Sequence, residues 1–468
     1  MEVSKHVDVL IVGAGISGVD AACRLKQRCP RKSFAIVEAR ARIGGTWDLF
    51  RYPGVRSDSD MYTLSFPFRP WSRDQAIVGG EQIRRYVEDT ARDIGIMDQI
   101  RFNTRVTAAS WSSNDARWSV ETSDGLYTCR FLYLASGYYD YAAGYRPEWP
   151  GEADFKGQTV HPQFWPEDLD FAGKNVAVIG SGATAVTLVP SMAETAAKVT
   201  MVQRSPSYIV AAPARDSMAK WLPASLVRWK HILLTIFLYA RARSRPDRVA
   251  RFIKDKAREA LPEGYPVERD FSPSYAPWDQ RLCLIPDGDL FAAMSSGKVG
   301  IATGEIERFV PEGLLLQGGE TIPADVIVTA TGLNMRLLGG IELVVDDEPV
   351  RAPERVIYKG MMLSGVPNLF VAFGYANASW TLRSDLTARA ACRLINRMER
   401  LGARSATPIV PDGIGRKPVL GLTSGYVSRA AAILPSQGDR DPWHVPQNYL
   451  RDLAAMTFAR IDEGLKLG

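Results

Sequence analysis

Apolar and polar positions along the chain follow one plan twice. Val7-Asp8-Val9-Leu10-Ile11-Val12 is a nearly continuous apolar run rich in β-branched residues, as expected of a parallel strand buried on both faces. A glycine-rich break, Gly13-Ala14-Gly15-Ile16-Ser17-Gly18, follows it, then a helical stretch through Leu25 and a second strand, Phe34-Ala35-Ile36-Val37, that ends at Glu38. Asn175-Val176-Ala177-Val178-Ile179 repeats the run, Gly180-Ser181-Gly182-Ala183-Thr184-Ala185-Val186 repeats the break, and Val199-Thr200-Met201-Val202 is the following strand. Two further strands, 131–137 and 325–332, end on Gly137 and Gly332 and close the two copies. Between 101 and 135 the pattern alternates as short strands, with Asp124-Gly125 as a hairpin signal. The pattern predicts an α/β chain of two Rossmann-like nucleotide domains, the second inserted into the first. The first takes residues 1–150 and resumes over 331–468; a linker covers 151–170 and the insert 171–330.

Within the insert, residues 215–258 carry twelve Lys or Arg against three Asp around the apolar segment Ile232-Leu233-Leu234-Thr235-Ile236-Phe237-Leu238-Tyr239. That composition predicts a helical insertion at about 215–262. It reads either as a cap over a substrate cleft or as a basic helix lying on a membrane, the segment being too short to span one.

At 468 residues, with 46% hydrophobic and 10% aromatic content, the chain is long enough for two or three cores. A net charge of +5 matches phosphate-bearing cofactors and does not require nucleic acid. Cys23, Cys29, Cys129, Cys283 and Cys392 are scattered without paired spacing, which predicts no disulfide framework, no metal site and a reducing cytoplasm. No cleavable signal segment is read at the N-terminus.

The glycines permit a tight turn and close approach of the backbone to a pyrophosphate at a helix N-terminus, and Glu38 is placed for ribose hydroxyls. Strand, turn, helix, strand and acid stand in the order a dinucleotide needs. In the second copy Ala185 replaces the third glycine, and the strand ends in Gln203-Arg204-Ser205 without an acid. A carboxylate would repel a 2′-phosphate, whereas a guanidinium can grip one, so Arg204 predicts NADPH.

The linker stretch Phe155-Lys156-Gly157-Gln158-Thr159-Val160-His161-Pro162-Gln163-Phe164-Trp165-Pro166 resembles the fingerprint of Baeyer-Villiger monooxygenases, among the class B flavoprotein monooxygenases. The runs Asp48 to Asp60, Trp278 to Leu282 and Asn377 to Leu382 are most similar to bacterial members that oxidise thioamide drugs. The resemblance implies FAD in the first domain, with Gly45, Thr46, Trp47, Asp48, Leu49, Arg56, Ser57 and Asp58 beside it and Val106 at the adenine end. Disulfide reductases of similar architecture place a redox cysteine where this chain has Trp47. By the same resemblance Arg281 projects to flavin and nicotinamide, paired with Asp58, and these two are the expected catalytic residues. Many members have Lys before that arginine; this chain has Gln280, which leaves more of the phosphate to Arg204.

The implied reaction is NADPH- and O2-dependent insertion of oxygen into a ketone to give an ester or lactone. Oxidation of sulfides, amines or thioamides is the rival, and a flavin-dependent reductase or oxidase the next. A non-enzymatic flavin-holding module using the basic segment is the third alternative. Gly157 and the prolines of the linker are read as a hinge. His161 is either an acid-base group or a structural tie within it.

Overall fold

A computed structural model describes residues 5–468; residues 1–4 of the expected first domain lie outside the described part. The strand Lys5–Val12 lies in a nine-stranded sheet, parallel to Phe34–Val37 on one side and Gly125–Leu134 on the other. The expected hairpin strands Val106–Ser112, Arg117–Thr122 and Gly125–Leu134 form an antiparallel meander, and Glu342–Val345 extends it. Leu369–Val371, from the part of the chain after the insert, pairs in parallel with Gly125–Leu134. The second domain is a five-stranded sheet in the order Val299–Thr303, Lys198–Gln203, Asn175–Ile179, Val326–Thr329, Gln158–Val160, parallel throughout.

The two glycine turns are built alike. Gly13 has φ +103° and a Cβ there would stand 2.6 Å from the Ala135 carbonyl; Gly180 has φ +129° and its Cβ would stand 2.4 Å from that of Ala330. Each strand end that closes a copy thus presses its carbonyl onto the opening glycine, where any side chain would collide. The copies differ at the third position. A Cβ at Gly18 would meet the Gly13 carbonyl at 1.8 Å, so only glycine fits, whereas buried Ala185 carries its methyl in the helix Ala183–Met192.

The linker differs from a free hinge. Gln158–Val160 is an edge strand of the second sheet, and Gly157 is required for space: its Cβ would lie 2.2 Å from the Asp325 carbonyl. The chain crosses between domains elsewhere, where Tyr139–Gly144 and Leu333–Met335 run side by side as an antiparallel ribbon. His161 packs on that ribbon. A Cβ at Gly144 would meet its ring at 2.1 Å, its Nδ1 accepts from the Gln163 backbone at 3.2 Å, and burial pushes its pKa down. This is the environment of a neutral structural imidazole.

The basic insertion is helical, Ala224–Ser244 followed by Pro246–Ala260. Buried Arg228 donates to the carbonyls of Tyr62 and Ser65, each at 2.7 Å, and Tyr239 meets Trp278 edge to face at 5.4 Å. The first helix therefore rests on the two segments that flank Asp58 and Arg281.

Candidate active site

The cavity is assembled from both domains. Gly13, Gly15, Ser17, Glu38, Gly45, Thr46, Trp47, Arg56, Ser57, Asp58, Val106, Ala183, Thr184 and Arg281 line it together. Gly18, Asp48, Leu49, Gly180, Ser181, Gly182, Ala185, Val186, Gln203 and Arg204 do not. The Asp48 carboxylate is buried and taken up by Arg40 at 2.7 Å and Arg42 at 3.4 Å, so it fixes the loop after Gly45 instead of facing the cavity. Gln203 is also turned inward, donating to Thr303 and to the Asp270 carbonyl at 2.9 Å each. Arg204 is exposed and has no ion-pair partner among the described residues, while Ser181 bonds Ser207 at 2.9 Å beside it.

The residues of the first half fit a flavin dinucleotide. The helix Ile16–Arg28 begins at Gly15 with no side-chain cap and no acid in its first turn, which leaves its backbone donors open to a pyrophosphate. Glu38 is buried at the adjoining strand end, accepts from the Ala14 amide at 2.7 Å, and has its pKa raised by burial. Ser17 accepts from the Trp380 indole at 2.7 Å, so the helix Trp380–Leu401 starts at the same cavity. The second helix, Ala183–Met192, also starts uncapped and without an acid, consistent with a second pyrophosphate.

Arg281 and Asp58 come together across the domain boundary, Nη2 to Oδ2 at 3.2 Å, with the side chains 33% and 30% exposed. The Asp58 charge is the largest influence on Arg281 and raises its pKa, so the guanidinium stays charged. A second pair runs in the opposite sense: Arg56 Nη1 lies 2.6 Å from Asp289 Oδ2. The first domain contributes Arg-x-Asp, and the second contributes one arginine and one aspartate to match. Tyr52, from the same first-domain segment, is buried in the second domain's core. A Cβ at Gly54 would sit 2.9 Å from the Thr187 carbonyl, so the segment wedges directly onto the second nucleotide helix.

Around Arg281 stand phenols that sequence reasoning missed. Tyr138 bonds Tyr139 hydroxyl to hydroxyl at 3.0 Å and stacks on Trp380 with centroids 5.0 Å apart. Burial pushes Tyr138 up to about 12, so it is a protonated donor at neutral pH. A second, narrow chamber of ≈ 50 Å³ opens beside Arg281 and Tyr138, walled by Ile357, Phe373, Leu420, Leu422, Tyr426 and Leu434. Only the adjacent Tyr138-Tyr139 doublet could have signalled this cluster, because Tyr426 arrives from almost three hundred residues away.

The chain is 50% identical to the FAD-containing monooxygenase EthA of Mycobacterium tuberculosis over 478 aligned residues, covering 99% of this chain and 98% of that one. This chain belongs to the FAD-containing monooxygenases. Another member of this family, the probable FAD-binding monooxygenase AlmA of Acinetobacter baylyi, is 43% identical over 98% of this chain and 96% of its own. A family model described as pyridine nucleotide-disulphide oxidoreductase matches residues 10–222. Among solved structures, an oxidised steroid monooxygenase bound to NADP superposes with TM-score 0.78 at 22% identity, covering 99% of both chains. An ε-caprolactone-bound cyclohexanone monooxygenase does so with TM-score 0.77 at 20% identity, covering 99% of this chain and 100% of that one. The monooxygenase has no disulfide-reductase centre among its described residues: Trp47 follows Gly-Gly-Thr, and all five cysteines are buried free thiols. No metal-binding cluster occurs among the described residues.

Proposed function

We propose that this monooxygenase uses NADPH and O2 to insert one oxygen atom beside the carbonyl of a ketone, giving an ester or lactone, and that the same site oxidises sulfides or thioamides. In balance, ketone, O2, NADPH and a proton become ester, NADP+ and water. The observation that carries the reading is the Arg281-Asp58 pair where the cofactor cavity meets an apolar chamber. FAD, when bound, supplies the electron transfer and the activation of oxygen.

The chain's own groups do the rest. The first glycine turn, Glu38 and the Gly45 to Asp58 segment hold FAD, while Gly180 to Val186 and Arg204 hold NADPH, with Arg204 gripping the 2′-phosphate. Arg281 donates to oxygen atoms on which negative charge develops, and Asp58 keeps that guanidinium aimed. Tyr138, protonated and stacked, adds a neutral donor on the same side. The apolar chamber excludes water from the carbonyl side, which strengthens each of these bonds. The protein works in a reducing cytoplasm, in keeping with five unpaired buried thiols, and meets a membrane only peripherally.

The test is Arg281→Ala. The variant is expected to bind FAD and to oxidise NADPH while ketone oxygenation, read as ester by gas chromatography, disappears. Normal ester formation would remove Arg281 from the role assigned here.

A further inference from the structure

The helix Ala224–Ser244 is apolar on two sides. Val227 and Ile232, 0% and 1% exposed, face inward, and Arg228 is buried beside them. On the outer side, Leu226, Leu233, Leu234, Phe237 and Leu238 are all exposed, Phe237 at 61%. Their spacing of three, four and seven residues puts them on one face. Trp221, just before the helix, is 87% exposed, and Phe252 on the next helix is 59% exposed. A surface helix ordinarily presents polar residues outward, so a contiguous outer apolar face marks an interaction surface.

Charge decides what covers it. Arg241, Arg245, Arg248 and Arg251 follow at the C-terminal end of the patch, all exposed and none with an ion-pair partner among the described residues. Other basic residues of the region are already matched, as in Arg243 with Asp279 at 2.7 Å and Lys254 with Glu268 at 2.9 Å. Four unmatched guanidinium groups beside a leucine and phenylalanine face suit an anionic lipid surface, where the rings enter the acyl boundary and the arginines meet headgroup phosphates. A second copy of the chain is disfavoured, because a symmetric contact on this patch would bring the same unmatched charges together. No helix among the described residues is long and apolar enough to cross a membrane.

We infer that the outer face of Ala224–Ser244, with Arg241, Arg245, Arg248 and Arg251, docks the protein on an anionic bilayer. The inference gives a surface and a lipid chemistry to the peripheral contact proposed above. The same helix rests through Arg228 and Tyr239 on the segments flanking Asp58 and Arg281, so docking places the roof of the site against the lipid.

The experiment floats the full FAD-loaded chain with vesicles of pure phosphatidylcholine or of equimolar phosphatidylcholine and phosphatidylglycerol, at low and high salt. Wild-type protein is expected to float with the anionic vesicles, weakly with the neutral ones, and less in salt. Leu233→Ser/Phe237→Ser should abolish flotation, and Arg245→Glu/Arg248→Glu should weaken it by about tenfold or more. Both variants should keep FAD absorbance and wild-type turnover of a water-soluble ketone, so loss of docking is separable from failure of the catalytic reading. No wild-type flotation, equal binding to neutral vesicles, or binding unchanged in both variants would overturn the inference. So would a dimer in sedimentation velocity that both variants dissolve, which would give the face to a second copy.

Discussion

Replacing Asp58 by Asn tests the central pair most directly, because the amide keeps the size of the side chain and removes only its charge. At the observed 3.2 Å, opposite unit charges attract by about 5 kcal/mol at an effective dielectric constant of ~20. Both groups are about one-third exposed, at 33% and 30%, and solvent screening reduces the usable part to about 1–3 kcal/mol. If that energy keeps the Arg281 guanidinium aimed, kcat/KM for ketone oxygenation should fall roughly ten- to hundredfold in Asp58→Asn. NADPH should still be consumed, with reducing equivalents diverted to hydrogen peroxide. The assay follows NADPH absorbance, peroxide and ester in one reaction, with FAD content fixed by its visible spectrum. In a cycle with Arg281→Ala, the double variant should be little worse than Arg281→Ala alone. Wild-type coupling in Asp58→Asn, or strictly additive losses, would show that the carboxylate does not act through the guanidinium.

Four further outcomes follow from the structure. Arg204→Ala should raise the Michaelis constant for NADPH far more than that for NADH in initial-rate assays; an equal rise would remove Arg204 from the phosphate site. Arg56→Asp should lower ester yield per NADPH several-fold and increase hydrogen exchange over 278–290, and Arg56→Asp/Asp289→Arg should recover both, since the pair is only 2.6 Å across and joins two domains. Gly144→Ala should lower the melting temperature, by roughly 1–3 kcal/mol of overpacking against the His161 ring, and His161→Ala should relieve it. Burial depresses the His161 pKa, so the unfolded chain binds its proton more readily than the folded one. The contribution is present above the unfolded value of about 6.5 and is lost as pH falls from there through the lower folded value. The melting temperature of His161→Gln should therefore fall less steeply than that of the wild type on acidification from neutrality to about pH 5.

The parts of the fold that are legible in the sequence are those with a local signature. An apolar run ending in a glycine turn shows at Val12-Gly13 and Ile179-Gly180 without knowledge of what lies opposite. Alternation shows at Val106–Ser112 and Arg117–Thr122, where one face packs and the other is wet. Arg281 and Asp58 were reached only through family resemblance, since neither sits in a pattern that periodicity exposes. The crossed Arg56-Asp289 pair joins residues 233 positions apart, and neither end carries a local cue. The linker shows the converse failure: a glycine among prolines suggests freedom, but Gly157 serves close approach to Asp325. Asp48 is the same lesson on a smaller scale, because Thr46 and Trp47 just before it face the cavity while its carboxylate answers three arginines.

The Tyr52 wedge changes what counts as a moving part. By chain order, Tyr52 to Asp58 is first-domain backbone; by packing, its tyrosine is part of the second domain's interior. If the inserted unit turns on the 139–144 and 333–335 ribbon to admit or release its nucleotide, it drags that short peptide with it. The carboxylate and the guanidinium then travel as passengers in one vehicle, and a swing that would otherwise pull the pair apart leaves it joined.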